Sequence, residues 1–456
     1  GPRPGGDGPA PSRGRACATD AGGALHRAPA DPRGVALIGS EQRARDGKLT
    51  RAQRRALALL GLPTFGLALA ATIVTTYLPV LLAEVAGPAL IGALIGTEGL
   101  LAIFLPVLIG SWSDRVDTRF GRRMPFLLAG APLAVVALIL MPLFGSLLAI
   151  ALLLFCFFIG YFTYYAPYRA LYPDLVSDDL RGRSQSFQAT WRSAGLGLAL
   201  VGGGVLLGIW RPLPFLIAAV VLSVVTVVFF LGVEEPPAAE EDGQGAQGLR
   251  ASLERVRSLV RDQPALRWFM VANALWELSI AALKTFAVLY ITVGLGRSAG
   301  FASAVLAFVA VAVLAAAVTG GKLADRFGHL RVVRTTLWVY GLGSLLFLFT
   351  SSLWVVPAVF GVAFAAGILL TLPYSLMMGL MPSESHGAAA GLYGFSRGAG
   401  VVLGPVLAGV AIELTQPVFQ ATQGYASVFG VVSAVILLSI PFVRRIDSEA
   451  VEGAAA

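Results

Sequence analysis

Runs of about twenty apolar residues recur along the whole chain, and that pattern leaves few folds open to it. Pro125–Phe144 and Pro212–Gly232 contain no charged residue, and a helix of that length crosses the hydrocarbon core of a bilayer. A soluble α/β enzyme buries shorter apolar strands, and the strands of a membrane barrel alternate apolar with polar residues, which these runs do not. Hydrophobic residues make up 56% of the 456 and charged residues 13%. With a mean hydropathy of +0.77, the expected class is an all-α integral membrane protein.

Six helical spans fit Leu57–Leu82, Pro88–Ser111, Pro125–Phe144, Leu147–Ala170, Gln188–Trp210 and Pro212–Gly232. After a polar gap, six more fit Leu266–Val293, Ala299–Gly320, Val332–Thr350, Leu353–Leu380, Ala388–Glu413 and Tyr425–Val443. The expected organisation is a disordered basic tail over 1–55, a six-helix half over 56–233, a linker over 234–265, a second half over 266–444 and a tail over 445–456. Within the linker, Ala251–Arg261 sets its apolar residues on one helical face, as a helix lying on the inner membrane surface does.

Alternate loops differ in basic residues. One set carries Arg115, Arg119, Arg122, Arg123, Arg181, Arg183, Lys322, Arg326, Arg331 and Arg334, the other only Arg211 and Arg297. The positive-inside rule then puts both termini in the cytoplasm of a multi-pass cell-membrane protein. The formal charge of +8 does not indicate nucleic acid, because residues 1–55 hold eleven Lys/Arg against five Asp/Glu, six of the eight excess charges. Basic residues beside spans attract anionic lipid. Cys17 and Cys156 are the two cysteines, one in the tail and one in an apolar run, so no disulfide framework follows.

The chain also repeats itself. Gly110–Phe126 contains a charged hairpin whose shorter copy is Gly321–Gly328. Pro167-Tyr168 matches Pro373-Tyr374, and the segment around Arg192 matches that around Arg397, at offsets of roughly 205 to 211 residues. Parallel six-helix halves related by an axis along the membrane normal, with substrate held between them near the midplane, are the architecture of the major facilitator superfamily. The chain resembles that superfamily.

In the hairpins, Gly110 and Gly321 are expected to let helices approach closely. Asp114, and Asp325 in the copy, are held at the inner surface, where a carboxylate can pair with Arg115, Arg119, Arg123 or Arg326 in one conformation and release them in another. These residues are expected to fix topology and to gate. Ser113 to Arg115, Arg119 to Arg123 and Pro125-Phe126, followed by Pro167 to Arg169 and Asp174-Leu175, are similar to the sucrose-transporter branch of the glycoside-pentoside-hexuronide cation symporters. The resemblance implies proton-coupled movement of a sugar or glycoside, and it carries a functional arginine onto Arg169, grouped here with the gate. The fourth span is apolar at Phe157–Tyr161, where plant members have an Asp. The second has Glu98 in place of the paired Asp of sodium-using melibiose carriers.

A charge at the centre of a span costs at least about 2.5 kcal/mol, so each one marks a functional candidate. Glu98, mid-span, is the candidate proton carrier, since a carboxylate can load and release a proton as the cavity changes sides. Asn273, Glu277 and Lys284 share one helical face. Arg397 lies too deep to snorkel easily, with Tyr393 one turn before it, and Arg192 shares a face with Gln188. Tyr161 and Tyr165 offer rings for stacking on a sugar. These nine residues are the expected substrate contacts, while Trp276 beside them is expected to pack.

No nucleotide-binding Gly-Lys motif or metal-spaced His/Cys group occurs, and His26, His329 and His386 lie in polar segments. Neither an enzyme nor a cofactor or metal is expected. The expected function is a monomeric secondary transporter of a sugar or glycoside, coupled to protons rather than sodium, with membrane lipid as its surroundings. The alternatives are an exporter of amphipathic compounds or lipids, and a sensor that kept the fold but lost transport.

Overall fold

In a computed structural model, which describes residues 50–116, 118, 120–176, 180–233, 235, 261, 263–349, 356–380 and 386–455, the apolar runs are helical where they are described. The first half holds α1 (Arg51–Leu82), α2 (Pro88–Ser113), α3 (Met124–Leu140), α4 (Leu147–Leu175), α5 (Arg181–Ile209) and α6 (Leu213–Gly232). The second holds α7 (Pro264–Leu289), α8 (Ala299–Phe327), α9 (His329–Phe349), α10 (Val356–Gly379), α11 (His386–Thr415) and α12 (Ser427–Ala455). Twelve helices among the described residues are long and apolar enough to cross a membrane. In hydrocarbon a backbone must satisfy its own hydrogen bonds, and each helix does so within one segment.

Several ends fall outside the apolar runs. α1 starts at Arg51, within the expected tail, because Thr50 and Gln53 form a capping box: the Gln53 N–H donates to Thr50 Oγ1 (3.2 Å) and the Thr50 N–H to Gln53 Oε1 (3.0 Å). α8 continues to Phe327, so the repeated hairpin is helical up to Gly328, whose φ of 87° makes the turn into α9. α12 continues to Ala455 through the segment expected to be a tail. Residues 1–49, with Cys17 and His26, lie outside the described residues, as does the expected surface helix apart from Arg261.

The halves share one packing scheme. In the first, α1 packs on α5 and α6, α3 on α4 and α6, and α2 on α4; six helices later, α7 packs on α11 and α12, α9 on α10 and α12, and α8 on α10. Across the halves, α2 meets α11 and α5 meets α8, the same pairing with the roles exchanged, and α1 meets α7.

The α2–α11 seam is made of backbone. A Cβ at Gly99 would lie 2.6 Å from the Val402 nitrogen, and one at Gly96 would lie 2.8 Å from the Val402 oxygen. Small residues at this spacing are what let membrane helices touch. The contact runs from Pro88 and Gly409 as far as Ile103 and Gly398, whereas a Cβ at Gly110, Gly391 or Gly394 would meet nothing within 4 Å. Beside the tight end, the Ala89 N–H donates to Glu413 (3.0 Å), and Gly204 of α5 lies against Ala299 and Ser303 of α8. Among the described residues, the halves therefore touch at the end bearing the α1–α2 and α11–α12 connections and part at the end bearing the start of α1.

At the parted end, Glu235, just beyond α6, caps α3. Its carboxylate accepts from the Arg123 N–H (2.9 Å) and the Met124 N–H (3.1 Å), satisfying donors that a helix start leaves open and placing a negative charge at the dipole's positive end. Glu235→Ala is expected to lower stability by about 1 kcal/mol, with Glu235→Gln in between. Thermal unfolding of the detergent-solubilised protein checks this; equal midpoints for all three proteins would remove the cap.

Candidate functional site

The site begins where α7 and α11 cross. Gly400 and Gly404 let α11 lie on the α7 backbone, since a Cβ at Gly400 would come 2.8 Å from Glu277 Cβ. That closeness brings Glu277 Oε2 to 3.5 Å from Arg397 Nε, with the Glu277 side chain 9% exposed and the Arg397 side chain 56% exposed. The pair thus has a buried acid and a cation turned to open space. One turn earlier, Asn273 is buried and its amide donates to Ser396 Oγ (2.9 Å). Asn273 shares the face of Glu277, and its amide ties α7 to α11. Trp276 is fully buried with Nε1 donating to Ser439 (2.9 Å), a packing role as expected.

Glu98 arrives on α2 beside the Gly99 contact, which sets it against the same turn of α11. Glu98, Glu277 and Arg397 all lie within electrostatic reach of Lys284. Neither Lys284 nor Arg192 forms an ion pair among the described residues.

The tyrosines of α4 divide between two faces. Tyr161 and Tyr165 stack with centroids 5.6 Å apart and planes 13° from parallel. The Tyr165 hydroxyl accepts from Arg169 Nη1 (3.0 Å), and the guanidinium lies 5.7 Å from the Tyr165 ring centre. Both rings are within electrostatic reach of Arg192 and Arg397. On the other face Tyr164 and Tyr168 are buried, and the Tyr168 hydroxyl meets Thr64 Oγ1 (2.8 Å) and the Leu60 carbonyl (2.7 Å) in the core.

Tyr393 meets Tyr374 of α10 edge to face at 5.4 Å and is within reach of Glu277, Arg397 and Arg192. Tyr374 is a functional candidate that the sequence reading passed over. Its counterpart in the repeat is Tyr168, yet Tyr374 is exposed where Tyr168 is buried. Gln188 lies beside the Tyr172 hydroxyl.

The expected gate residues are dispersed. Asp114 pairs with Arg123 at 3.5 Å, inside its own half. Arg115, Asp325 and Arg326 are exposed, with Arg326 over the Phe327 ring at 5.2 Å, and Arg119 lies outside the described residues. Arg169 meets Tyr165. At the opposite end Glu84 pairs with Arg211, a contact between connections that no sequence pattern marked.

Together these residues form a charged cluster contributed by α2, α4, α5, α7 and α11, set between halves that touch on one side only. A family model described as "MFS_1 like family" matches residues 70–421. Among solved structures, the chain is similar to a bacterial homologue of the human lysosomal transporter Spinster in an inward-facing, unoccupied conformation, with 15% identity, 88% of this chain and 98% of that one covered, and a TM-score of 0.72. It is also similar to the nucleoside transporter NupG (15% identity, 86% and 98% covered, TM-score 0.69) and to the POT family transporter PepTSo (16% identity, 88% and 99% covered, TM-score 0.64). Identities this low speak for the fold alone. No curated protein sequence matches significantly.

Proposed function

The chain belongs to the MFS_1 like family, and from that premise we propose that it is a secondary active transporter that moves a sugar or glycoside by alternating access, coupled to protons through Glu98. The observation that carries the proposal is the cluster of membrane-embedded charges facing the gap between the halves. Such charges are costly in a bilayer unless they serve a solute path, and these are contributed by both halves, so rocking one half against the other changes the cluster's access. The stacked Tyr161–Tyr165 pair presents a flat ring face to a pyranose, with Arg397, Glu277, Lys284 and Arg192 as hydrogen-bonding partners for its hydroxyls.

Orientation follows from the basic loops. With both termini cytoplasmic in the cell membrane, the parted end faces the cytoplasm and the conformation is inward-open. Asp114 and its arginines then lie at the open mouth, where closure would bring α2 and α11 together along their remaining length and offer Asp114 a new partner.

In proteoliposomes loaded with candidate sugars, counterflow is expected with at least one of them. Glu98→Gln is expected to retain that exchange while losing accumulation against a gradient. Unchanged uphill uptake would remove Glu98 from the coupling. Absence of exchange with every sugar, together with gradient-driven expulsion of a hydrophobic dye, would replace this reading with export of amphipathic compounds.

A further inference from the structure

Away from the charged cluster, a cavity of about 470 Å³ opens at the parted end of the second half, where the turn from α8 into α9 faces the last turns of α10. Its walls are of two kinds. His329, Arg331 and Arg334 of α9 and the hydroxyl of Ser375 on α10 supply polar groups, while Phe327 and Leu376 supply apolar surface. Arg331 and Arg334 are three residues apart and so share one face of α9. Among the described residues that line the cavity none is acidic, and neither His329 nor Arg331 forms an ion pair. Asp325, exposed on the last turn of α8, is not part of the wall. The start of α9 adds to the positive character, because a helix of 21 residues presents open N–H groups and the positive end of its dipole there.

We propose that this cavity binds a phosphate ester. With both termini cytoplasmic it opens on the cytoplasmic side, and it is separate from the solute path, so it does not depend on what is transported. The Arg331 guanidinium presents a planar fork of donors that fits a phosphate edge, and Arg334 brings a second charge one turn on. The volume lies within the range of small-molecule sites, about 300 to 1,000 Å³, so room remains for a glycerol beside the phosphate. Apolar surface borders the cations at Phe327, which is 46% exposed. Two sources offer this chemistry: an anionic phospholipid of the inner leaflet, whose headgroup suits a basic pocket between helices, or a soluble phosphate ester of the cytosol. Either one spans α9 and α10, and by binding only the folded form it stabilises the protein.

The test uses the full-length protein, purified and delipidated in a neutral detergent. Native mass spectrometry measures occupancy and thermal unfolding gives a second readout, with phosphatidylglycerol, phosphatidylcholine and glycerol 3-phosphate as probes. Phosphatidylglycerol, glycerol 3-phosphate or both are expected to bind at least about tenfold more tightly than phosphatidylcholine, whose choline cancels the phosphate charge, and to raise the melting midpoint. Arg331→Gln is expected to weaken that binding about tenfold. Ser375→Trp, which fills the cavity without changing its charge, is expected to do the same. Arg267→Gln removes an exposed positive charge from the same end of the second half but outside the cavity, and is expected to leave binding unchanged.

Binding of phosphatidylglycerol without glycerol 3-phosphate makes the leaflet the source, and the reverse makes it the cytosol; both uphold the site. Phosphatidylglycerol that binds no more tightly than phosphatidylcholine, together with no binding of glycerol 3-phosphate, overturns it. So does undiminished binding to a Ser375→Trp protein that elutes as the native species, or a loss in Arg267→Gln equal to that in Arg331→Gln, since surface charge alone then attracts the anion. Should one variant fail to fold, the wild-type comparison and the remaining variants decide the matter.

Discussion

Arg397→Gln is expected to stop transport and destabilise the protein, whereas adding Glu277→Gln is expected to restore stability without restoring transport. The single substitution leaves a carboxylate that is 9% exposed without the guanidinium it faces at 3.5 Å. Breaking a fully buried pair costs about 3 to 5 kcal/mol. The Arg397 side chain is 56% exposed, so the pair is partly screened, and Lys284 lies within electrostatic reach of Glu277 as a substitute cation. The expected loss is therefore smaller, about 1 to 3 kcal/mol.

In the double variant neither charge remains, and two amides of similar shape can bond to each other, so the melting midpoint recovers. Uptake stays at least about 100-fold down, because two charge-assisted contacts to solute are gone. Thermal unfolding and uptake measured on all three proteins decide the outcome. A single variant as stable as the double would remove the pair from folding, and one that transports normally would remove it from transport.

The existence and order of the helices were legible in the sequence because lipid imposes a crude rule: a run of about twenty apolar residues has to be a helix. The rule ends where the lipid ends. α8 continues to Phe327, and α12 to Ala455, through residues no bilayer requires to be helical. Thr50 and Gln53 start α1 early by capping chemistry that a search for apolar residues does not see.

Much the same division holds at the site. Glu98, Glu277, Lys284, Arg192 and Arg397 stood out because charges within spans are costly. Which of them meet depends on helix approach: Glu277 finds Arg397 because Gly400 and Gly404 bring α11 onto α7. Position on a helical face did not separate Glu277 from Asn273, whose amide is taken up by Ser396. Glu235 carries no local signal at all, since its partners are the backbone amides of Arg123 and Met124 on a distant turn. The repeat gave no guide to Tyr374, because duplicated positions keep their place in the fold while losing a common environment.

Gly99→Val is expected to abolish transport and to lower stability by about 1 to 3 kcal/mol, the usual cost of overpacking a close contact. The atom that its Cβ would meet at 2.6 Å is the Val402 backbone nitrogen. A backbone atom inside a helix cannot rotate away, so the two halves have to separate along the seam instead. Gly110→Val makes the opposite case. Nothing lies within 4 Å of a Cβ there, so folding and melting midpoint should match those of the wild type.

Under alternating access, however, the parted ends of α2 and α11 have to meet in the other state, and a larger side chain at Gly110 is expected to slow exchange while leaving solute binding intact. The two substitutions thus separate a seam that is closed now from one that must close later. A Gly99→Val protein with wild-type midpoint and exchange would show that the seam yields. A Gly110→Val protein with normal exchange would show that these ends never meet, and rocking about a fixed central site would have to be given up.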